Sequence, residues 1–342
     1  MKIGLFSAAG DKQACHLCSA LNALSPGSAL QFNLNLDPPA RSSMSAAEAT
    51  WGGVDLATLD AAVLRGFPYC DPVVPSGDLD VDWGLWRFEY IAEQQKYTYL
   101  YSLFSELERR GVKVVNPPSV LLNLFMKPFI LERLRQTGLK VPELACTNDM
   151  AAARQFCGGH EHVMWRPAAG RAAWQLFLDR QREALISPRK PPIMLAEAIE
   201  GGPLCRGYLY DGQPLLFLKM AAPDCQGEER LEFFSTADCA AATAELRRLA
   251  ETLSAPWLQV TFVLKDAQAW IYDLDADPLC EDLPALHRER LLALLAERLL
   301  RREPARQPDP TGEDNQERPT IFLRRMLRVL FEFQESKYKK EK

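Results

Sequence analysis

The sequence predicts a protein of the α/β class, with a parallel sheet in its N-terminal part and an α+β organisation in its C-terminal part. Residues 1–115 alternate apolar strand-like runs with helical ones in a β-α-β-α-β order, which is typical of a parallel sheet. Farther along, consecutive strand-like runs follow one another directly, and one pair is joined by Asp211 and Gly212. Because such two-residue turns form hairpins, this part of the chain predicts antiparallel strands.

The N-terminal elements follow from apolar periodicity and from helix caps. The first helix begins at Asp11, a residue type that commonly caps helix N-termini, and it stops at the turn-forming residues 25–27. Short, wholly apolar runs predict buried strands on either side of it. In order, we expect strands at 2–7 and 29–36 around a helix at 11–24, then a short helix and a strand ending near Arg65, a long helix over 84–111 and a strand over 112–118.

The rest of the chain predicts helices and antiparallel strands. Pro128 stands inside a helical pattern, and because proline lacks the N–H that a helix interior needs, we expect that helix to be interrupted there. In order, we expect the interrupted helix over 119–138, strands within 139–149, 161–170 and 173–181, three strands within 191–220, a helix over 237–255, a hairpin over 257–278 that turns at 265–268, and a closing helix over 283–302.

Composition limits the classes of function. Of the 342 residues, 47% are hydrophobic and 25% are charged, so the chain can bury a core. Its length suggests about two or three domains. The net charge of −5 argues against a general nucleic-acid binder, because such proteins carry a basic excess that neutralises phosphates. Small-molecule or protein substrates fit this charge better.

The compartment is indicated by the cysteines and by the absence of long apolar runs. The N-terminal apolar run ends at Asp11 and Lys12, and no run of about 18 apolar residues occurs elsewhere. We therefore expect neither a secretory signal nor a transmembrane segment. Nine cysteines, an odd number without framework spacing, predict free thiols and a cytoplasmic protein.

Three acidic residues stand at alternate positions in WIYDLDADP, residues 270–278. In a strand, residues i, i+2 and i+4 point to the same face, so the side chains of Asp273, Asp275 and Asp277 would repel one another unless a positive charge lies among them. A divalent metal ion is one interpretation. A solvent-exposed turn closed by Pro278 is the other, since short acidic turns are common.

Four stretches of the middle and last thirds follow one another in a familiar order. They are VNPPSVLLNLFMKPFILERLRQTGLKVPE, VMWRPAAG, IMLAEAIEGGPLCRGYLYDGQPL and LQVTFVLKDAQAWIYDLDADP. This succession resembles the ATP-grasp superfamily, particularly its glutathione-synthetase and ribosomal-protein glutamate ligase branch. The resemblance extends from residue 1 to about residue 300. It implies an ATP-grasp fold preceded by an N-terminal parallel-sheet domain, with ATP and Mg²⁺ as cofactors.

The resemblance also implies a division of the chain. A Rossmann-like pre-ATP-grasp domain would cover residues 1–115, a small ATP-grasp subdomain acting as a lid 116–190, and a C-terminal subdomain with a metal-binding strand 191–302. Residues 303–318 are polar, contain proline and predict a linker. Residues 319–342 predict a basic amphipathic helix that docks onto the protein body, a protein partner or a membrane surface, of which we favour protein.

Four basic residues match phosphate-binding or nearby basic positions of the superfamily. By the resemblance, Lys127 meets a phosphate of ATP, although the residue taken alone is interpreted as an ordinary surface lysine. Arg166 stands where the family has lysine, and it keeps the charge while changing the geometry. Arg206 matches the arginine that steadies the γ-phosphate and the acyl phosphate formed from it. Lys219 aligns with another basic position of the cofactor site.

The stretch AEAIEGG corresponds to the hinge whose backbone reads the edge of adenine. The resemblance assigns Glu197, Ala198 and Ile199 to ATP, while Ala196 replaces the usual glutamine. A further departure follows the hinge, because Leu204 stands where an aspartate often precedes the arginine of the next strand.

The acidic stretch corresponds to the metal-binding strand of the superfamily. Asp273 occupies the position of a glutamate and Asp275 that of an asparagine, and the oxygens of both can bind Mg²⁺. Asp277 has no counterpart, and Thr261 replaces a carboxylate expected from the neighbouring strand. In the N-terminal domain, Arg65 is a candidate for binding the carboxylate substrate, with an ordinary surface arginine as the alternative.

These assignments predict an ATP-dependent ligase that joins a carboxylate to an amine or related nucleophile through an acyl phosphate. Its substrates would be small molecules or peptides. The departures at Arg166, Ala196, Leu204 and Thr261 keep open a second interpretation, a catalytically impaired protein of ATP-grasp fold that binds a nucleotide or recruits a protein partner through the C-terminal helix. Assembly through that helix, without any nucleotide, is a third.

Overall fold

The computed structural model describes residues 1–34, 41–45, 47–66, 83–168, 172–178, 182–220, 231–234 and 239–301. The chain divides into two compact units, 1–301 and 302–342. The linker and the C-terminal helix predicted for 303–342 lie outside the described residues. They stay predictions, as do the domain boundaries within 1–301. None of the helices in the described ranges is both long enough and apolar enough to cross a membrane.

The N-terminal part of the chain forms the predicted parallel sheet. Its first strand is completely buried, as expected where helices cover both faces of a sheet. The elements are, in chain order, β1 (Ile3–Ser7), α1 (Lys12–Leu24), β2 (Ala29–Asn33), a small antiparallel sheet of β3 (Ser42–Met44), β4 (Ala49–Trp51) and β5 (Val54–Asp55), then β6 (Ala61–Leu64), α2 (Trp83–Arg109) and β7 (Lys113–Val115). The order across the parallel sheet is β2-β1-β6-β7.

Two antiparallel sheets follow, which we call the middle sheet and the C-terminal sheet. Before them come α3 (Pro118–Phe125) and α4 (Lys127–Gln136). The middle sheet and its helices are β8 (Leu144–Thr147), α5 (Met150–Gly158), β9 (Val163–Pro167), β10 (Gln175–Leu176), α6 (Arg182–Leu185) and β11 (Ile193–Glu197). The C-terminal sheet and its helices are β12 (Leu204–Tyr210), β13 (Gln213–Met220), β14 (Leu231–Phe234), α7 (Ala240–Leu253), β15 (Trp257–Lys265), β16 (Gln268–Asp275) and α8 (Ala285–Leu300).

The hairpin predicted at Asp211 and Gly212 is confirmed. Both residues have positive φ, 47° and 71°, which is the conformation of the two-residue turn that suits twisted strands. Glycine adopts it without strain and aspartate tolerates it. The turn joins β12 to β13 at the centre of the C-terminal sheet, whose order is β14-β13-β12-β15-β16.

Apolar side chains on both faces of the C-terminal sheet join it to the rest of the molecule. On one face, Phe262 packs in a buried cluster with Leu246 of α7. On the other face, Tyr208 belongs to a second cluster that contains Leu17 of α1 and Leu295 of α8. The N-terminal and C-terminal parts therefore share their cores, which fixes the position of the strand that carries the acidic residues.

Buried polar side chains of the N-terminal part hold the segment that follows β16. Arg65 is 4% exposed, and its guanidinium donates to the carboxylate of Asp277 and, at 3.1 Å, to the carbonyl of Pro278. Gln13 also donates to that carbonyl, at 3.0 Å. Asn116 donates to the carbonyl of Ala276. Two expectations are therefore wrong, because Arg65 is not a surface arginine and Asp277, 3% exposed, is not part of a solvent-exposed turn.

We predict that replacing Asp277 with asparagine lowers the free energy of unfolding by about 3 kcal/mol, because losing this buried ion pair leaves Arg65 with only the longer contact to Asp11, at 3.5 Å, among the described carboxylates. Urea denaturation of the full chain measures the change. The control is Glu132→Gln, which removes the exposed pair with Arg135 on α4 and should change stability by less than about 0.5 kcal/mol. Equal, small effects of both substitutions would contradict a structural role for the Arg65–Asp277 pair.

Candidate functional site

Asp273 lies at the centre of a cluster of charged side chains between the middle sheet and the C-terminal sheet. Lys127 Nζ is 2.9 Å from its Oδ1, and Arg166 Nη1 is 2.6 Å from its Oδ2. The backbone N–H of Leu274 also donates to Oδ1, at 2.8 Å. The structure thus brings two of the predicted phosphate-binding cations into direct contact with the first predicted metal ligand.

Lys127 owes its position to the break between α3 and α4. Met126, with φ −81° and ψ 62°, ends one helix and precedes the next, so Lys127 is the first residue of α4. Pro128 follows it within the first turn, where its missing N–H costs no hydrogen bond. The lysine side chain is 8% exposed, and Nζ also donates to the carbonyl of Leu274. The interpretation of Lys127 as a surface lysine is therefore wrong.

Arg166 reaches the cluster from β9 and is almost completely buried. Its guanidinium carbon lies 5.7 Å from the centre of the Trp174 ring, in a cation–π arrangement. The indole Nε1 of Trp174 in turn donates to the carbonyl of Tyr272, at 3.2 Å. These contacts fix the arginine against the strand that carries Asp273.

The charges of the cluster determine the ionisation of Asp273. Burial by itself raises the pKa of this carboxyl group, but the positive charges of Lys127 and Arg166 and their hydrogen bonds outweigh burial and hold the pKa below its usual range. Asp273 is therefore a carboxylate at neutral pH. Two cations share this one anion, so the three groups together favour the approach of further negative charge.

Asp275 follows on the same strand and offers the second predicted metal ligand. Its Oδ1 accepts a hydrogen bond from the backbone N–H of Asp277, at 2.9 Å. In the sheet, Asp275 pairs with Gln259 of β15. Carboxylate oxygens at alternate positions suit Mg²⁺ in donor type. No group of three or more His, Cys, Asp or Glu side chains within the described ranges could hold a metal ion. An ion at Asp273 and Asp275 would therefore complete its shell with phosphate or water oxygens, as Mg²⁺ commonly does.

Arg206 lies in the same row of the C-terminal sheet as Asp273. Arg206 pairs with Thr261 on β15, and Thr261 pairs with Asp273 on β16, which places all three residues on one face. The arginine side chain is 12% exposed and forms an ion pair with Asp282 at 3.0 Å. Lys219 instead pairs with Cys205, next to Arg206 on β12. Because neighbouring residues of a strand point to opposite faces, Lys219 lies on the face opposite Arg206, contrary to its predicted place in the cofactor site.

The predicted hinge lies at the end of β11 and continues beyond it. The backbone N–H of Ala198 donates to the carbonyl of His162, at 3.0 Å. The carbonyl of Glu197 accepts a hydrogen bond from the hydroxyl of Tyr272, and the N–H of Ile199 donates to that same hydroxyl, each at 2.7 Å. The side chain of Tyr272 thus joins the hinge to β16.

Sequence reasoning missed three residues of this region. Tyr272 bridges the hinge, Trp174 packs against Arg166, and Asp282 pairs with Arg206. The position of Tyr272, directly before the first aspartate of the acidic run, was the one available signal. Neither Trp174 nor Asp282 stands in a pattern that indicates a partner. Arg65 has its described polar contacts inside the fold, which favours a structural role over the predicted role in substrate binding.

This chain is similar to known proteins in its fold rather than in its sequence. No family model and no curated protein matches the chain, whereas many solved structures do. The ATP-grasp ligase PsnB, complexed with a minimal precursor, Mg and ADP, is 22% identical, with 87% of this chain and 96% of that chain covered and a TM-score of 0.72. The macrocyclase MdnC from Microcystis aeruginosa MRC, bound to the precursor peptide MdnA, is 14% identical, with 88% and 100% covered and a TM-score of 0.68.

A third structure extends the same pattern. An ATP-grasp ligase associated with RiPPs from Chryseobacterium gregarium, in complex with ADP and a leader and core peptide, is 13% identical, with 90% and 98% covered and a TM-score of 0.68. This chain has the ATP-grasp fold. The predicted fold class and the resemblance are confirmed at that level. Lys127, Arg166 and Asp273 stand far apart in the sequence, and the packing of α4 and β9 against β16 brings them together.

We predict that Asp273→Asn lowers the free energy of unfolding by about 3 kcal/mol at pH 7, because two buried cations lose their shared anion. The pKa of Asp273 is lower in the folded protein than the value of about 3.9 in an unfolded chain. Its contribution is therefore complete above that value and lost as the pH falls toward the folded pKa. The deficit of the variant should shrink below about pH 4. Urea unfolding from pH 7 to pH 3 measures this, and a deficit that is absent or independent of pH would contradict the ion-pair assignment.

Proposed function

We propose that this protein is an ATP-dependent ligase that joins a carboxylate to an amine through an acyl phosphate. The observation that carries the proposal is the contact of Lys127 and Arg166 with Asp273 between the two antiparallel sheets of an ATP-grasp fold. Two buried cations beside a carboxylate form a site for a phosphate chain whose charge is shared with a divalent ion. The free cysteines among the described residues fit the predicted cytoplasmic location.

In this proposal the side chains of the cluster bind the triphosphate. Lys127 and Arg166 donate to phosphate oxygens, and the planar guanidinium of Arg166 has enough N–H groups to bind a phosphate and Asp273 together. Asp273 and Asp275 would hold Mg²⁺, which would neutralise charge on the phosphates nearby. The backbone of Glu197, Ala198 and Ile199 would receive the adenine base.

Arg206 is the proposed catalytic residue. An oxygen of the substrate carboxylate attacks the γ-phosphorus, and the bond from that phosphorus to the bridging oxygen breaks, so ADP leaves with the electron pair. The amine nitrogen then attacks the acyl carbon, inorganic phosphate leaves, the nitrogen loses a proton and an amide remains. Arg206 stabilises the negative charge on the transferred phosphoryl group in both steps. Its ion pair with Asp282 keeps the guanidinium at the face of the sheet where Asp273 lies.

Peptides are the substrate class that the related folds support. The structure of PsnB contains a precursor, that of MdnC a precursor peptide, and that of the Chryseobacterium gregarium ligase a leader and a core peptide. We propose that this protein likewise acts on side-chain or terminal groups of a peptide, rather than on a free metabolite. A protein partner bound through the C-terminal helix remains part of the proposal.

A catalytically impaired nucleotide-binding protein is the second candidate. It is favoured by one observation, the position of Thr261 beside Asp273 where the resemblance implies a third carboxylate. Fewer carboxylates hold a divalent ion less firmly, and such a protein would bind Mg·ATP without forming ADP. Turnover therefore separates the two candidates.

We expect Lys127→Ala to weaken the binding of Mg·ATP by about 10- to 100-fold, which corresponds to the loss of one charge-assisted contact. Isothermal titration calorimetry of the full chain measures the dissociation constant. The matched control is Arg135→Gln, which removes an exposed cation from the same helix and should leave the affinity unchanged within about twofold. Equal affinities in all three proteins would rule out the cluster as the phosphate site.

We expect Arg206→Gln to lower kcat for ADP formation by about 100-fold, because a donor aimed at developing charge acts mainly in the transition state. The dissociation constant of Mg·ATP should change by less than about threefold, since uniform binding is assigned to the other cations. The assay follows ADP release with a panel of peptides as substrates. ADP formation that survives in Arg206→Gln would remove this residue from the mechanism. Nucleotide binding without turnover in the wild type would select the second candidate.

A further inference from the structure

Tyr272 is the extra residue of a β-bulge between β15 and β16. Ile271 pairs with Phe262, and Asp273 pairs with the preceding residue of β15, Thr261. Tyr272 therefore stands between two paired residues of β16 whose partners on β15 are adjacent. A bulge re-aims the side chain of the extra residue, because the regular alternation of the strand is broken there. The side chain of Tyr272 consequently lies against the middle sheet, where the residue is 5% exposed.

The hydroxyl of Tyr272 satisfies two backbone groups of the hinge at once. It donates to the carbonyl of Glu197 and accepts from the N–H of Ile199, at 2.7 Å in each case. Burial raises the pKa of Tyr272 to about 12, although the hydrogen bond from Ile199 works in the opposite direction. The hydroxyl therefore keeps its proton at neutral pH and remains a donor.

The carbonyl of Glu197 and the N–H of Ile199 both point at the hydroxyl of Tyr272. The edge of a purine base can bind to the same two groups. Adenine presents an amino donor beside a ring-nitrogen acceptor, which complements a carbonyl and an N–H two residues apart. The surroundings of the phenol ring suit an aromatic base as well, because sites for small molecules are mostly apolar with a few placed polar groups. Tyr272 forms a buried cluster with Ala196 and Val263, and the side chains packed against it include those of Trp174, Ile199 and Trp270.

Asp273, the residue after Tyr272 on β16, contacts the cations in the same way as Tyr272 contacts the hinge. Asp273 binds Lys127 and Arg166, the groups proposed above for phosphate. Two consecutive residues of β16 thus make both kinds of contact that a nucleotide would make, one with the hinge and one with the cations. A base that uses the hinge must take it over from Tyr272, whereas the cations can hold Asp273 and donate to a phosphate at the same time.

We propose that Tyr272 competes with the base of the nucleotide for the hinge and so lowers the affinity of this protein for adenine nucleotides. The inference rests on the proposed function, since it concerns the base end of the same site. The phenol leaves Glu197 and Ile199 when the base binds, and the cost of breaking its two hydrogen bonds reduces the observed affinity. Removing the hydroxyl alone should then strengthen binding, the opposite of the usual effect of losing a polar group in a binding site.

Calorimetric titration of the full chain with Mg·ATP and with Mg·tripolyphosphate tests this. Tripolyphosphate has no base or ribose, so it reports on the cations alone. Tyr272→Phe should bind Mg·ATP about tenfold more tightly than the wild type, as expected for two hydrogen bonds of ordinary strength. Its affinity for Mg·tripolyphosphate should stay within about twofold of the wild type, because the hydroxyl does not contact the cations. Tyr272→Leu also lacks the hydroxyl and should show the same gain, so the result does not depend on one variant remaining folded.

Tyr99→Phe is the matched control. The hydroxyl of Tyr99 is buried and has no hydrogen-bond partner in the part of the chain that the structure describes, and its removal should change neither affinity. Unchanged or weaker binding of Mg·ATP to both Tyr272 variants, with tripolyphosphate still bound, would overturn the competition and leave the proposed function standing. If neither probe binds the wild type or the variants, the proposed function and this inference both fail.

Discussion

The ion pairs of Asp273 with Lys127 and Arg166 are the interaction on which the arrangement of the site depends. The three residues come from β16, from the first turn of α4 and from β9. Each cation is buried, and a buried charge is costly unless it has a partner. Any displacement of the middle sheet or of α4 away from β16 would leave Lys127 or Arg166 without its anion. These ion pairs therefore hold β16, α4 and β9 in fixed positions relative to one another.

The acidic run in WIYDLDADP thus combines different tasks on one short stretch. Asp273 compensates the cations on the side of the middle sheet, whereas Asp277 compensates Arg65 on the side of the parallel sheet. Asp275 stands between these two fixed points, and its carboxylate accepts from the N–H of Asp277. Mutual repulsion is reduced because cationic side chains of the protein itself lie at both ends of the run.

Local features of the fold could be predicted from the sequence, and features that depend on register could not. The turn at Asp211 and Gly212, the cap at Asp11 and the helix break next to Pro128 each depend on a few neighbouring residues. Short elements such as β3 to β5, β14 and α5 were missed, because runs of two to nine residues carry little periodicity. The resemblance named Lys127 and Asp273. Their direct contact, and the bulge at Tyr272, follow only from how distant strands pair.

One departure from the superfamily, arginine at position 166, has a physical reason if binding in this site is an exchange of partners. The hinge and the cations already have satisfied contacts with Tyr272 and Asp273, so the net affinity for a nucleotide is the difference between new contacts and those given up. A lysine at position 166 would have to share a single nitrogen between Asp273 and a phosphate. The forked guanidinium of Arg166 can hold Asp273 through one nitrogen and donate to phosphate through others. Arginine at this position can therefore bind phosphate without giving up Asp273, so that in this proposal only the base must displace an existing contact.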